Sequence, residues 1–139
     1  MGNRSQGGPC EAFGSDTKVR IPFAAHTRFY YPDALVVCDG NPPNDTFQDR
    51  PSVLIEVLSP TTYRTDVGEK KDAYLTIPSV TGYLLVEQDR PRVIVYSRRG
   101  GDGVEAAVYE GMEAVIPLPA IGCDLPLVEI YDRSALSNA

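Results

Sequence analysis

Ser52-Val53-Leu54-Ile55-Glu56-Val57-Leu58 is the stretch on which the fold turns. Apart from Ser52 and Glu56 every residue in it is apolar, and Val53, Ile55 and Val57 are β-branched. A run of this kind after the Pro-, Asn- and Asp-rich residues Gly40 to Pro51 reads as a buried strand following a loop. After Ser59-Pro60-Thr61-Thr62 the pattern changes. From Asp66 to Thr76 (DVGEKKDAYLT), Val67, Tyr74 and Leu75 fall at helical spacing. Asp66 is placed as an N-cap, with Glu69 three residues on in a capping-box-like arrangement, and Pro78 closes the segment. Gly82 to Glu87 (GYLLVE) then reads as a second buried strand. Strand, helix and strand in this order form a right-handed crossover if the two strands lie parallel in one sheet.

Outward from this unit, short strands dominate. Lys18 to Pro22 alternates polar and apolar residues, as a half-buried strand does. Arg28 to Tyr31 leads through Pro32-Asp33 into the continuous apolar run Ala34 to Cys38, another buried strand. Downstream, Arg92 to Tyr96 follows a polar turn containing Pro91. Ala106 to Tyr109 and Ala114 to Leu118 read as strands joined at Glu110-Gly111, and Leu127 to Tyr131 as a short terminal element. Residues 1–8 are polar and Gly-rich and are expected to be disordered. The expected class is a mixed α/β or α+β fold, with residues 1–139 forming one domain.

Composition sets limits on function. A chain of 139 residues can bury a core without disulfide or metal staples. Its longest apolar run is the five residues Ala34 to Cys38, too short for a transmembrane helix or the core of a secretory signal. Three cysteines with no C-x-x-C pair argue against a disulfide framework and against structural zinc. With no targeting segment visible, a reducing cytoplasm is expected. His26 is the only histidine and reads as a solvated loop residue. The net charge of −6 is unevenly placed. Residues 1–100 hold twelve basic and twelve acidic residues, whereas residues 101–139 hold one base, Arg133, and seven acids. Exposed charges are screened within about 10 Å, so an anionic partner can meet the first hundred residues while the acidic segment faces elsewhere.

Three features converge on chemistry. Pro32-Asp33 stands at the entrance of one buried strand, Glu56 lies inside another, and Asp66, Lys70 and Tyr74 are spaced by four along the helix. A carboxylate in an apolar strand is costly to bury unless it is paired, protonated or metal-bound. Two carboxylates on adjacent strands supply the hard oxygen ligands Mg²⁺ prefers, and a nearby Lys can orient water and offset phosphate charge. Each residue also has an ordinary reading. Asp33 could be a turn residue, Asp66 and Lys70 a surface ion pair worth about 0.3–0.5 kcal/mol, Tyr74 a core residue, and Glu56 the partner of Arg64 or Lys71. Only the joint pattern favours a site.

Taken together, Tyr31-Pro32-Asp33-Ala34-Leu35-Val36-Val37-Cys38, Leu54-Ile55-Glu56-Val57-Leu58-Ser59-Pro60-Thr61-Thr62, Asp66-Val67-Gly68-Glu69-Lys70 with Tyr74, and Gly82-Tyr83-Leu84-Leu85-Val86 resemble the Uma-type family of putative restriction endonucleases, within the PD-(D/E)XK nuclease superfamily. The resemblance spans most of residues 9–132. It implies a restriction-endonuclease-like mixed central sheet with a flanking helix, the family's N-terminal helical part being largely missing. It further implies Asp33 and Glu56 as metal-binding carboxylates, with the Val57 carbonyl as a further ligand. The usual motif places a lysine two residues after the glutamate, where this chain has Leu58; the family pattern supplies it from the helix, which maps to Lys70. Asp66, Tyr74 and Ser59 would support the site. Lys71 is the adjacent alternative to Lys70, and Glu87 stands where the family usually has Asp. The implied activity is hydrolysis of DNA phosphodiester bonds with Mg²⁺ or Mn²⁺. Separately, a sheet whose flanking helices are shortened exposes apolar surface or an edge, so self-association, as a homodimer, is expected. The rivals are a non-catalytic nuclease-like scaffold and an all-β binding module.

Overall fold

Pro51–Val57, the strand that contains Glu56, lies inside a six-stranded sheet. The computed structural model describes residues 10–59, 65–98 and 103–133, the side chains of 65, 66, 132 and 133 excepted. Within these, the strands are β1 (Glu11–Phe13), β2 (Lys18–Pro22), β3 (Thr27–Tyr30), β4 (Ala34–Val37), β5 (Phe47–Gln48), β6 (Pro51–Val57), β7 (Gly82–Val86), β8 (Arg92–Arg98), β9 (Val104–Glu110), β10 (Val115–Leu118) and β11 (Cys123–Pro126). The large sheet has the order β1-β4-β6-β7-β8-β9. Its only parallel pair is β6 with β7, in the register Glu56↔Leu85; the other neighbours are antiparallel. The connection between the parallel strands carries the helix, called α1: a π-helical turn, Thr65–Lys70, runs into an α-helical turn, Lys71–Tyr74. A second helix, α2, spans Leu127–Arg133. The fold is therefore mixed α+β around one mixed sheet, as the strand–helix–strand pattern predicts.

Period-2 alternation divides the sheet into two packed faces. On one, Leu35, Leu54, Tyr83 and Leu85 bury against Ala73 and Tyr74 of α1. Val19 and Ile21 of the small sheet β3-β2-β5 complete that core. On the other face, Val53, Leu84, Val86 and Val93 bury against Ile116, Leu118, Leu127 and Tyr131, contributed by the β10–β11 hairpin and α2. All five residues of β7 are buried, because it is covered from both sides. Each fully buried aliphatic or aromatic side chain contributes about 1.5–3 kcal/mol. Thus α1 is not the only cover on its face: the three-stranded sheet does much of that work.

Several details differ from the sequence reading. Residues 40–51 are not all loop, since Phe47–Gln48 pairs with β2 and Pro51 already belongs to β6. The helix ends at Tyr74 rather than Thr76, and Asp66 is inside its first turn rather than ahead of it. The terminal element is a helix whose Leu127 and Tyr131, one turn apart, both face the core. The expectation of no disulfide is also corrected. Cys10 and Cys38 are bonded, because the β1–β4 register, Glu11↔Val37, brings the residues just beyond that pair opposite each other. Cys123 is free and exposed. The joint at Glu110-Gly111 is a turn in which Gly111 adopts φ 95°, a conformation that favours glycine.

Candidate active site

Glu56 sits one residue before the end of β6, on the face that meets α1, with 3% of its surface exposed. Burial penalises its charge heavily unless charged and polar partners meet it. Two come from α1. Lys70 Nζ lies 3.4 Å from Glu56 Oε2, and the Tyr74 hydroxyl donates to the same oxygen at 3.2 Å. Lys70 closes the π-helical turn and Tyr74 is one α-helical turn further, so both project to one side. Tyr74 is itself fully buried, between the rings of Tyr30 at 5.5 Å and Tyr83 at 5.3 Å. Burial, and then the negative charge of Glu56, push its hydroxyl well above the usual tyrosine range. Tyr74 therefore stays a proton donor to Glu56.

Asp33 immediately precedes β4, whose Ala34 pairs with Ile55 of β6. One step further along that antiparallel register, Asp33 stands opposite Glu56. The carboxylates thus lie on adjacent strands at one end of the sheet, Asp33 exposed and Glu56 buried. Asp33 Oδ2 accepts a hydrogen bond from the Val57 amide at 2.7 Å. The N–H and C=O of one strand residue face the same neighbour, so the Val57 carbonyl is turned to the Asp33 side of β6. Ser59 follows β6 and is half-buried. Asp66 has its backbone in the π-helical turn; its side chain, and the alternative Glu56 partner Arg64, lie outside the described residues.

A wall of the site escaped the sequence reading. Lys70 Nζ lies over the Tyr30 ring, 5.7 Å from its centre. The Tyr30 hydroxyl donates to Glu69 Oε2 at 2.7 Å, and Arg28 donates to the same carboxylate. Burial, followed by the bond to Glu69, raises the Tyr30 hydroxyl; that same bond, against some desolvation, and the Arg28 charge hold Glu69 below the usual carboxylate range. The signal available was Arg28-x-Tyr30, two polar-headed residues on one strand face. Glu69 ties α1 to β3 rather than capping the helix.

Other candidates are engaged elsewhere. Lys71 lies over the Tyr96 ring at 5.0 Å and within 3.8 Å of Asp72. Glu87 forms ion pairs with Arg90 at 3.1 Å and with Arg92, which also reaches Glu110 at 3.2 Å. His26 stacks on Phe23 in an exposed bend. A cavity of about 480 Å³ lined by Val53, Val95, Tyr109 and Leu118 lies on the opposite sheet face and includes none of the candidate residues.

The donor chemistry suits a hard cation. Among the described residues no group of three or more His, Cys, Asp or Glu side chains converges on one point. Mg²⁺ needs no such cage: it takes one or two carboxylates and retains several waters. Asp33, Glu56 and the Val57 carbonyl offer oxygen only, so these residues fit it.

Comparison with known proteins follows the same line. Residues 2–127 match the Uma2 family, described as "Putative restriction endonuclease". An uncharacterized protein of Synechocystis is 31% identical over 131 residues, covering 93% of this chain and 67% of the relative. A second uncharacterized protein of that organism is 34% identical over 93 residues, covering 65% of this chain and 51% of the relative. Among solved structures, a putative nuclease of the DUF820 family from Anabaena variabilis superimposes with a TM-score of 0.65 at 21% identity, covering 89% of this chain and 69% of that one. The fold is thus shared with a nuclease-like protein, and the chain belongs to the Uma2 family of putative restriction endonucleases.

Proposed function

We propose that this chain is a single-domain endonuclease that hydrolyses phosphodiester bonds of DNA with Mg²⁺ or Mn²⁺. The observation that carries this reading is the placement of Asp33 opposite Glu56, with Lys70 paired to Glu56. Asp33, Glu56 and the Val57 carbonyl would hold the cation. When bound, the cation supplies Lewis acidity, lowering the pKa of a coordinated water and offsetting charge on the phosphate. The chain's own groups do the rest. The Val57 amide fixes one oxygen of Asp33, and the other would be the one offered to the cation. Tyr74, donating to Glu56, locks the buried carboxylate in one orientation. Lys70, held between Glu56 and the Tyr30 ring, places a positive charge beside the Glu56 carboxylate, where it can orient the attacking water and offset developing phosphate charge.

The test is cleavage of plasmid DNA with Mg²⁺ by the wild type and by Asp33→Ala, Glu56→Ala and Lys70→Ala. Cleavage should fall at least about a hundredfold in each, with the circular dichroism spectrum retained. Unchanged cleavage by Glu56→Ala would falsify the assignment. The same reading places the protein in the cytoplasm with its DNA, where the Cys10–Cys38 bond would be reduced. It also includes a homodimer, supported by β9: among the described residues no strand pairs with the outer side of this edge strand, and Val104 and Val108 are exposed. A strictly monomeric mass at high concentration in sedimentation equilibrium would remove the dimer from the proposal.

A further inference from the structure

The small sheet β3-β2-β5 has two faces, and only the inner one serves the core and the site. Val19 and Ile21 point inward, as does Tyr30 opposite Val19. Alternation sends Lys18, Arg20 and Phe29 outward, with Phe47 opposite Lys18 on the same side. The register continued by one residue from Val19↔Tyr30 adds Tyr31 beside Lys18. The result is a strip of three aromatic rings and two cations. Phe29 and Tyr31 are 47% and 55% exposed. Lys18 Nζ lies 4.9 Å from the Phe29 ring centre, the Arg20 guanidinium 4.1 Å from that of Phe47, and Phe47 meets Phe29 edge-on at 6.4 Å. Arg20 is neutralised by Asp49 through two bonds of 2.8 Å, whereas Lys18 forms no ion pair among the described residues. The strip runs into the candidate site through the chain itself, since Tyr31 is followed by Pro32 and Asp33.

Exposed rings flanked by cations recognise flat π-surfaces that carry negative charge, and unpaired nucleotides have that chemistry. Bases in a duplex are covered by their neighbours and cannot stack on such a strip, whereas single-stranded bases can. Charge argues the same way. Among the described residues few cations are unpaired, so these gain little from the phosphate contacts on which duplex binding depends, and stacking is the larger source of affinity. We infer that the outer face of β3-β2-β5, centred on Phe29 and Tyr31, is a stacking platform for the unpaired bases of a single nucleic-acid strand that continues into the Asp33–Glu56 site. The inference deepens the nuclease reading and rests on it for the direction of the strand, but binding at the platform needs neither metal nor catalysis.

The experiment is fluorescence anisotropy of a dye-labelled oligothymidine titrated with protein in EDTA, repeated with a duplex of the same length. The wild type should bind the single strand more tightly than the duplex. Phe29→Ala with Tyr31→Ala should weaken single-strand binding about tenfold or more, at an unchanged melting temperature. Phe29→Tyr with Tyr31→Phe should restore it, and Lys18→Ala should reduce the salt slope by about 0.7. If the wild type cleaves DNA but the double alanine variant binds like the wild type, the platform is overturned and the nuclease reading stands. If the variant loses binding while the wild type never cleaves, the platform stands and the nuclease reading falls. If the variant instead loses self-association and keeps oligonucleotide binding, the strip is a protein interface and the inference is overturned.

Discussion

Glu56 owes its position to two donors on one helix. Its Oε2 atom meets both Lys70 and Tyr74, and its surface is 3% exposed. Tyr74→Phe keeps the ring packing against Tyr30 and Tyr83 but removes a donor from a buried carboxylate. Thermal unfolding should show a loss of about 1–3 kcal/mol, with DNA cleavage reduced because Glu56 is no longer held in one orientation. A Tyr74→Phe protein as stable as the wild type would show that the hydroxyl contributes nothing to holding the carboxylate. Glu56 was legible in the sequence because a charge inside an apolar strand demands an explanation. Tyr30 and Arg28 were not, because nothing local marks Thr27–Tyr30 as the strand that folds over α1. That placement is made by Val19 and Ile21 packing in the shared core.

At the scale of elements, the crossover was readable and its surroundings were not. A seven-residue strand, a helical pattern and a second apolar strand determine one another, and β6 and β7 are indeed parallel. The three-residue β1 and two-residue β5 exist through long-range pairing, which local pattern cannot reveal. The Cys10–Cys38 bond follows from one of these pairings. No spacing rule announces the π-helical turn, although it is what delivers Lys70 to Glu56. The far end of α1 is latched by Arg98, whose guanidinium donates to the carbonyls of Leu75 at 2.9 Å, Ile77 at 2.8 Å and Val80 at 2.7 Å. Arg98→Ala leaves these carbonyls without that charged donor and should cost about 1.5–3 kcal/mol, measured by urea denaturation. Because it frees the exit of α1 from the sheet, cleavage should fall as well. An unchanged denaturation midpoint would show that the latch is incidental.

Across the whole molecule, the acidity is separated from the site. Asp124 and Glu129 are exposed on the hairpin and helix that cover the face opposite α1, Glu113 is exposed in the turn leading into that hairpin, and Glu105 and Glu110 are exposed on the edge strand β9. Part of the acidic excess of residues 101–139 therefore lies in a different layer from Lys70 and Arg28. Acid stability follows from the paired carboxylates. The Arg20 bonds hold Asp49 low; burial works against Glu87, but its bonds to Arg90 and Arg92 prevail and hold it low too. A carboxylate depressed in the fold stabilises above its unfolded pKa, about 4, and that contribution disappears as pH falls through the folded value. The melting temperature should drop steeply between about pH 5 and pH 3, and Glu87→Gln should make the drop shallower. An identical slope in that variant would show that Glu87 takes no part. A Mn²⁺-soaked crystal examined by anomalous diffraction tests whether a cation sits between the two strands. One anomalous peak is expected between Asp33 and Glu56, lost in Glu56→Ala crystals. Crystals soaked at saturating Mn²⁺ with no peak between those carboxylates would contradict it.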